Sequence, residues 1–137
     1  MSRCAVVWLL LIAFAGCKKQ TPIADPSDAQ AVFAQVQADA EKKDVERIWG
    51  EIDKKSQIRL KKMADRQAAD GGSADPKELA LEQIRSILLG AKVQDTRIVG
   101  KRAYIAVELP DQGEGPKKRT IDMLKEDDGW KIALFTE

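Results

Sequence analysis

The sequence contains no histidine, and its 137 residues include only two cysteines and one tyrosine. Without histidine the chain lacks the most common general base and the most common metal ligand, and it cannot form a Ser-His or Cys-His nucleophile. The cysteines stand at positions 4 and 17, too few for a structural zinc site, which draws on cysteine and histidine. No Asp-rich loop has the spacing of calcium ligands. We therefore expect no metal, no cofactor and no catalytic role.

The chain also lacks an excess of charge of either sign. Lysine and arginine total 23 and aspartate and glutamate total 22, which gives a formal net charge of +1. Bulk binding of nucleic acid depends on neutralising phosphates with surplus basic residues, so we expect no nucleic-acid partner. A chain of this length fits one domain around a single core.

The first 17 residues have the layout of a secretory signal peptide. Arg3 precedes an apolar run at residues 5–15, and the small residues Ala15 and Gly16 lead to a cysteine. The apolar run is far shorter than the about 20 residues that a membrane span needs. The segment Phe14-Ala15-Gly16-Cys17 resembles the lipobox of bacterial lipoproteins, although that pattern favours leucine where Phe14 stands. The resemblance implies cleavage after Gly16 and attachment of fatty acyl chains such as palmitate to Cys17; the alternative is an ordinary signal peptide beside an unmodified cysteine.

This interpretation divides the chain into a signal peptide at residues 1–16, a lipidated tether at 17–26 and one folded domain at 27–137. The only cysteine left after cleavage is the anchor, so no disulfide within the chain can form and packing alone must stabilise the domain. In enterobacteria-like lipoproteins an aspartate after the lipidated cysteine implies retention in the inner membrane. Lys18 stands there, so the resemblance implies an outer-membrane anchor with the domain facing the periplasm.

Four segments with apolar residues at helical spacing predict four helices, which start near Ser27, Asp44, Ser56 and Asp75. Ser27, Asp44 and Asp75 can accept hydrogen bonds from N–H groups of a first helical turn. Gly90 can end the fourth helix. We expect a turn at residues 43–44, because the apolar stripe shifts phase there.

The third helix, predicted over residues 56–69, carries a basic stripe that begins just before it. Its members are spaced four, three and four residues apart and therefore lie on one helical face: Lys55, Arg59, Lys62 and Arg66. Such a stripe is typical of a contact surface for anionic lipid head groups or an acidic partner protein. The alternative is an ordinary solvated face that nearby acidic side chains neutralise in part, namely Glu51, Asp53 and Asp65.

After residue 92 the apolar residues alternate, which predicts strands at residues 93–99, 102–109, 118–125 and 130–135. Short connections make all four strands antiparallel neighbours. The predicted fold class is α+β, with the N-terminal helices packed on one face of a four-stranded antiparallel meander sheet.

Three segments carry a resemblance to a known family: residues 31–33, residues 43–49, and the closing Asp128-Gly129-Trp130-Lys131-Ile132. Together with the order of elements, they resemble the cystatin-like, nuclear transport factor 2-like superfamily, and more narrowly small bacterial lipoproteins with a domain of unknown function of that fold. The resemblance implies a curved sheet wrapped against helices as a cone whose mouth can hold a ligand.

Ketosteroid isomerase, in the same superfamily, uses an Asp base and a Tyr donor inside an apolar cone. A similar site here would require Tyr104 and Asp122 to face the cone. The alternative, which we favour, is that the apolar residues that alternate with them along the two strands fill the core. Trp49 and Trp130 stand in apolar stripes and are expected to pack in the core rather than to stack on a ligand.

The function we expect is that of a lipid-anchored protein of the cell envelope with a non-catalytic binding role. Its partners would be the membrane, through Cys17, and an envelope protein or anionic lipid. Two alternatives stay open: a small-molecule binder or isomerase-like enzyme that uses the cone, and a purely structural envelope protein.

Overall fold

The computed structural model describes residues 26–136, and within them the chain is α+β, as predicted. Helices α1 to α4 precede strands β1 to β4: α1 Pro26–Glu41, α2 Val45–Glu51, α3 Lys54–Ala69, α4 Pro76–Leu88, β1 Lys92–Val99, β2 Arg102–Leu109, β3 Lys117–Glu126 and β4 Gly129–Ala133. The predicted signal peptide, Cys17 and the predicted tether up to residue 25 lie outside the described residues, as does residue 137. None of the helices between residues 26 and 136 has the length and hydropathy needed to cross a membrane.

Two of the predicted helix starts are confirmed by their capping hydrogen bonds. The Asp44 carboxylate accepts from the Arg47 N–H at 3.3 Å, and the Asp75 carboxylate accepts from the Lys77 N–H at 2.9 Å. Lys43, with φ of 56°, separates α1 from α2 at the expected turn. Side-chain oxygens at these positions satisfy N–H groups that have no partner within the helix, which fixes where each helix begins.

Helix α3 begins two residues earlier than predicted. Asp53 is its N-terminal cap, and the Asp53 carboxylate accepts from the N–H of Ser56 at 3.3 Å. Ser56 therefore lies in the first turn, where it is fully buried. Asp53 and Ser56 can both cap a helix. The sequence favoured Ser56 because it lies closer to Leu60, where the apolar stripe begins.

The four strands form one sheet in the order β1-β2-β3-β4, with every neighbouring pair antiparallel. Alternate residues of β2 and β3 face the helices and are at most 4% exposed: Ala103, Ile105, Val107, Ile121 and Met123. They pack with Phe33 of α1 and Ile84 of α4 in a single core. The alternation seen in the sequence thus places the helices on one face of the sheet.

Strand β4 ends at Ala133, whereas the sequence predicted that it continues to residue 135. Its pairing with β3 ends with Asp122 opposite Ala133, and the next residue, Leu134, donates its N–H to Ser56 Oγ at 3.0 Å. On the outer edge of β4, Ile52 pairs with Ile132 in parallel, and the Asp53 N–H donates to the Ile132 carbonyl at 3.0 Å. The segment between α2 and α3 thus covers part of an edge that would otherwise leave its backbone groups unpaired.

Candidate anion-binding surface on helix α3

Helix α3 has a narrow buried side formed by Ser56, Leu60 and Ala64. The opposite side carries the four basic residues singled out from the sequence, and all four are exposed: Lys55, Arg59, Lys62 and Arg66. They extend over twelve residues of helix, from 55 to 66, which corresponds to about 16 Å along its axis. We call this set the basic stripe.

Apolar side chains lie between the members of the basic stripe. Ile58 is 55% exposed, an unusual exposure for a large aliphatic side chain, and Met63 is half-buried. With the stripe they line a surface depression of about 610 Å³, whose lining residues are Lys55, Ile58, Arg59, Lys62, Met63, Arg66 and Phe135. Among these residues four are cations, three are apolar and none is acidic.

Phe135 closes the depression from the side of the sheet. Its position depends on the preceding residue, because the Leu134 N–H is bonded to the buried Ser56 Oγ. The Arg59 guanidinium carbon lies 4.5 Å from the centre of the Phe135 ring, within range of a cation–π interaction. The depression therefore has one wall from α3 and one wall from the C-terminal segment.

The acidic residues expected to neutralise the stripe are largely engaged elsewhere. Asp53 is 3% exposed and caps α3, and burial beside Asp39 raises the pKa of Glu51 to about 8. Only Asp65 is exposed on α3 itself. Between residues 26 and 136, no carboxylate forms an ion pair with Arg59, Lys62 or Arg66. The positive potential of this face is thus only weakly offset.

A second cavity, of about 260 Å³, adjoins the depression and shares Lys55 and Phe135 with it. Lys54 and Arg102 also line it, together with the carboxyl groups of Asp122 and Glu126. Burial raises the pKa of Asp122, while the neighbouring Arg102 charge opposes that rise. Because positive and negative groups are mixed here, this cavity is less selective for anions than the depression beside it.

Tyr104 and Asp122 lie opposite one another in the register of β2 and β3. Both are half-buried and alternate with residues of the core, so they lie on the other face of the sheet, where Asp122 lines the cavity that also contains Lys54 and Lys55 of α3. This confirms the alternative favoured from the sequence, because the apolar residues Ala103, Ile105 and Met123 fill the core. The Arg97 guanidinium lies 5.2 Å from the Tyr104 ring on the same outer face.

The two tryptophans considered from the sequence differ in burial. Trp130 is 5% exposed within the core, which confirms its predicted packing role. Trp49 is half-buried and packs against the edge of the core, with the Lys61 amine 5.8 Å from its ring. Neither indole lines the depression on α3.

Sequence reasoning missed a pair of carboxyl groups at the corner between α1 and α2. Asp39 is 1% exposed; Gln35 donates to its Oδ1 at 3.0 Å, and Arg47 Nε lies 3.6 Å from its Oδ2. Burial, together with the hydrogen bond and the charge of Asp39, raises the pKa of Glu51 to about 8, against the opposing charges of Arg47 and Lys131. The only signal in the sequence was that Asp39 stands at the border of the apolar stripe of α1.

The described residues 26–136 contain no group of three or more Cys, Asp or Glu side chains that could hold a metal ion. Comparison of the chain with protein-family models, with curated proteins and with solved structures finds no match.

Proposed function

We propose that this chain is a lipid-anchored protein of a bacterial cell envelope that binds an anionic partner through the basic stripe of α3 and catalyses no reaction. The anchor would be Cys17, held by acyl chains in the outer membrane, with the domain in the periplasm. We also propose that the domain belongs to the cystatin-like, nuclear transport factor 2-like superfamily. Support for the fold comes from the order of elements, helices first and a meander sheet last.

One observation carries the binding role. Four cations of one helix face are exposed around an exposed isoleucine, in a depression whose described lining includes no acidic residue. Exposed cations close to an anionic surface contribute about 1 kcal/mol each. A partner held in this way is an acidic protein of the envelope or an anionic lipid.

The anchor is tested by fractionation of cells that express Cys17→Ala. We expect the variant to leave the membrane fraction, because it lacks the acyl chains that hold the domain at the bilayer. Cys4→Ala is the matched control, since Cys4 lies in the segment that cleavage removes, and its membrane attachment should be unchanged. Firm attachment of Cys17→Ala would contradict lipid anchoring.

The binding role is tested by cross-linking in intact cells, followed by purification of the protein and mass spectrometry. We expect one envelope component to be recovered repeatedly through Lys55 or Lys62, and to be recovered much less when Arg59 and Arg66 are changed to Gln, a variant that keeps both reactive lysine amines. Recovery of the protein alone, together with no stripe-dependent binding to any anionic probe, would show that the stripe is an ordinary solvated face.

A further inference from the structure

We infer that the depression beside α3 is a docking groove for an acidic segment of a partner protein that also carries apolar side chains. This inference rests on the proposed function, because it names the partner of the same surface. It commits to a polypeptide where the proposed function leaves open whether the partner is a protein or a lipid.

The shape of the surface favours a polypeptide segment over a membrane. The depression is concave, with a volume of about 610 Å³ between α3 and Phe135, which is in the range of sites that enclose a ligand. A bilayer surface is flat on this scale, so head groups would contact only the rim. A segment of several residues, in contrast, can lie within the recess and contact both walls.

The distribution of apolar groups leads to the same conclusion. Helices that lie on membranes bury a broad apolar face in the interface. The apolar side of α3 is already used in the protein core, through Leu60 and Ala64, which leaves Ile58 as the one large aliphatic side chain of the helix that is mostly exposed. A single isoleucine anchors a helix poorly in lipid, but it provides a contact for one apolar side chain of a bound peptide.

The positive charges of the groove indicate which charged groups the partner segment carries. Lys55, Arg59, Lys62 and Arg66 repeat along the groove for about 16 Å, so a matching segment presents carboxylates at a similar spacing. The apolar contacts would come from Ile58, Met63 and Phe135, which line the same groove. An acidic segment with interspersed leucine or a similar residue fulfils both requirements, whereas a purely acidic segment fulfils only the first.

The inference is tested with a labelled peptide of about twelve residues that repeats Glu-Glu-Leu, a length that covers the stripe if the peptide is helical. Fluorescence anisotropy would measure its binding to the full-length protein in detergent, beside an all-Glu peptide of the same length. We expect the Glu-Glu-Leu peptide to bind more tightly than the all-Glu peptide. Changing the four stripe residues to Gln should weaken its binding by about tenfold or more, and the effect should shrink at high salt.

A matched variant separates the groove from general charge. Lys92, Lys101, Lys118 and Arg119 are exposed and lie outside the groove, so their joint change to Gln removes the same charge elsewhere. We expect this control to retain peptide binding to within about twofold. Ile58→Gln keeps the stripe intact and should remove most of the preference for leucine; an exposed side chain of this kind has little effect on folding.

Four outcomes would overturn the inference. Equal losses in the stripe variant and the matched control would show that only net charge matters. Binding to phosphatidylglycerol vesicles that requires the stripe, without binding of either peptide, would assign the surface to lipid and leave the proposed function standing. Self-association that the stripe variant abolishes would assign it to a second copy of the chain. No stripe-dependent binding of peptide or vesicle would overturn the inference and the proposed function together.

Discussion

Asp39 and Glu51 bring two buried carboxyl oxygens, Asp39 Oδ2 and Glu51 Oε2, into the same site, and neither oxygen has a hydrogen-bond partner within residues 26–136. Two carboxylates repel and have no hydrogen to share, so this contact requires a proton on one of them. The raised pKa of Glu51 assigns the proton to that residue. A protonated Glu51 can donate its O–H to the Asp39 carboxylate, which would join the end of α2 to α1.

This pair makes stability depend on pH in a defined direction. The folded protein retains a proton on Glu51 up to about pH 8, whereas the unfolded chain releases it near pH 4.5. Because the folded state binds more protons over this range, the free energy of unfolding should fall as pH rises from about 4.5 to about 8. The slope can reach about 1.4 kcal/mol per pH unit for one full proton; partial exposure of Glu51 and the charges of Arg47 and Lys131 should reduce it. Urea unfolding at a series of pH values measures it.

Glu51→Gln is the informative variant for this prediction. The glutamine amide can still donate to Asp39, but it does not titrate, so we expect stability to change less with pH and to exceed that of the unmodified protein at pH 8. A smaller slope of the same sign should persist because burial also raises the pKa of Asp122. Identical pH profiles for the two proteins would show that Glu51 is not the group that retains the proton.

Much of the fold could be predicted from local features of the sequence. Asp44 and Asp75 each precede an apolar stripe, and both cap helices as expected. Alternation in β2 and β3 correctly separates Ile105 and Met123, which face the core, from Tyr104, which does not. These outcomes depend on neighbours within a few residues, which is the range over which propensity and periodicity act.

The start of α3 was misplaced for a local reason, but the other errors and omissions involve residues that are distant in sequence. The Leu134 N–H donates to Ser56, 78 residues earlier, and Ile52 joins β4 through a single bridge. The same applies to Glu51. In the sequence it is an ordinary charged residue at the end of a helix, and only the fold places Asp39 against it. In the groove, the stripe on α3 was visible from its spacing, but the wall formed by Phe135 depends on where β4 ends.

Gly90 offers a test of the junction between α4 and the sheet. It has φ of +72°, and a Cβ atom placed on it would lie 2.6 Å from Pro110 Cγ. Gly90→Ala should therefore cost about 1–2 kcal/mol for the left-handed backbone, plus a further penalty for the clash. Gly100→Ala is the control, because Gly100 has φ of +59° but no atom within 4 Å of the added Cβ.

The two contributions at Gly90 can be separated by unfolding measurements on a double variant. Pro110→Ala removes the ring atom that the new Cβ would meet, so we expect Gly90→Ala to cost less in that background and to approach the cost of Gly100→Ala. Equal destabilisation by the two glycine substitutions in the original background would mean that the chain between α4 and β2 shifts freely to avoid Pro110.

Ser56 links the stability of the domain to the wall of the groove. Ser56→Ala removes the acceptor of the Leu134 N–H. A buried donor left without a partner costs about 1–3 kcal/mol, and because Leu134 is only half-buried we expect a cost near the lower end of that range. Ser86→Ala is the control: its hydroxyl donates to the Gln83 carbonyl on the exposed side of α4, so its loss should change stability by less than about 0.5 kcal/mol. Hydrogen exchange should show a faster-exchanging Leu134 amide only in Ser56→Ala, because that amide loses its partner. If the amide stays equally protected, the Leu134–Ser56 hydrogen bond does not hold the C-terminal segment, and Phe135 must be positioned by its contact with Arg59 instead.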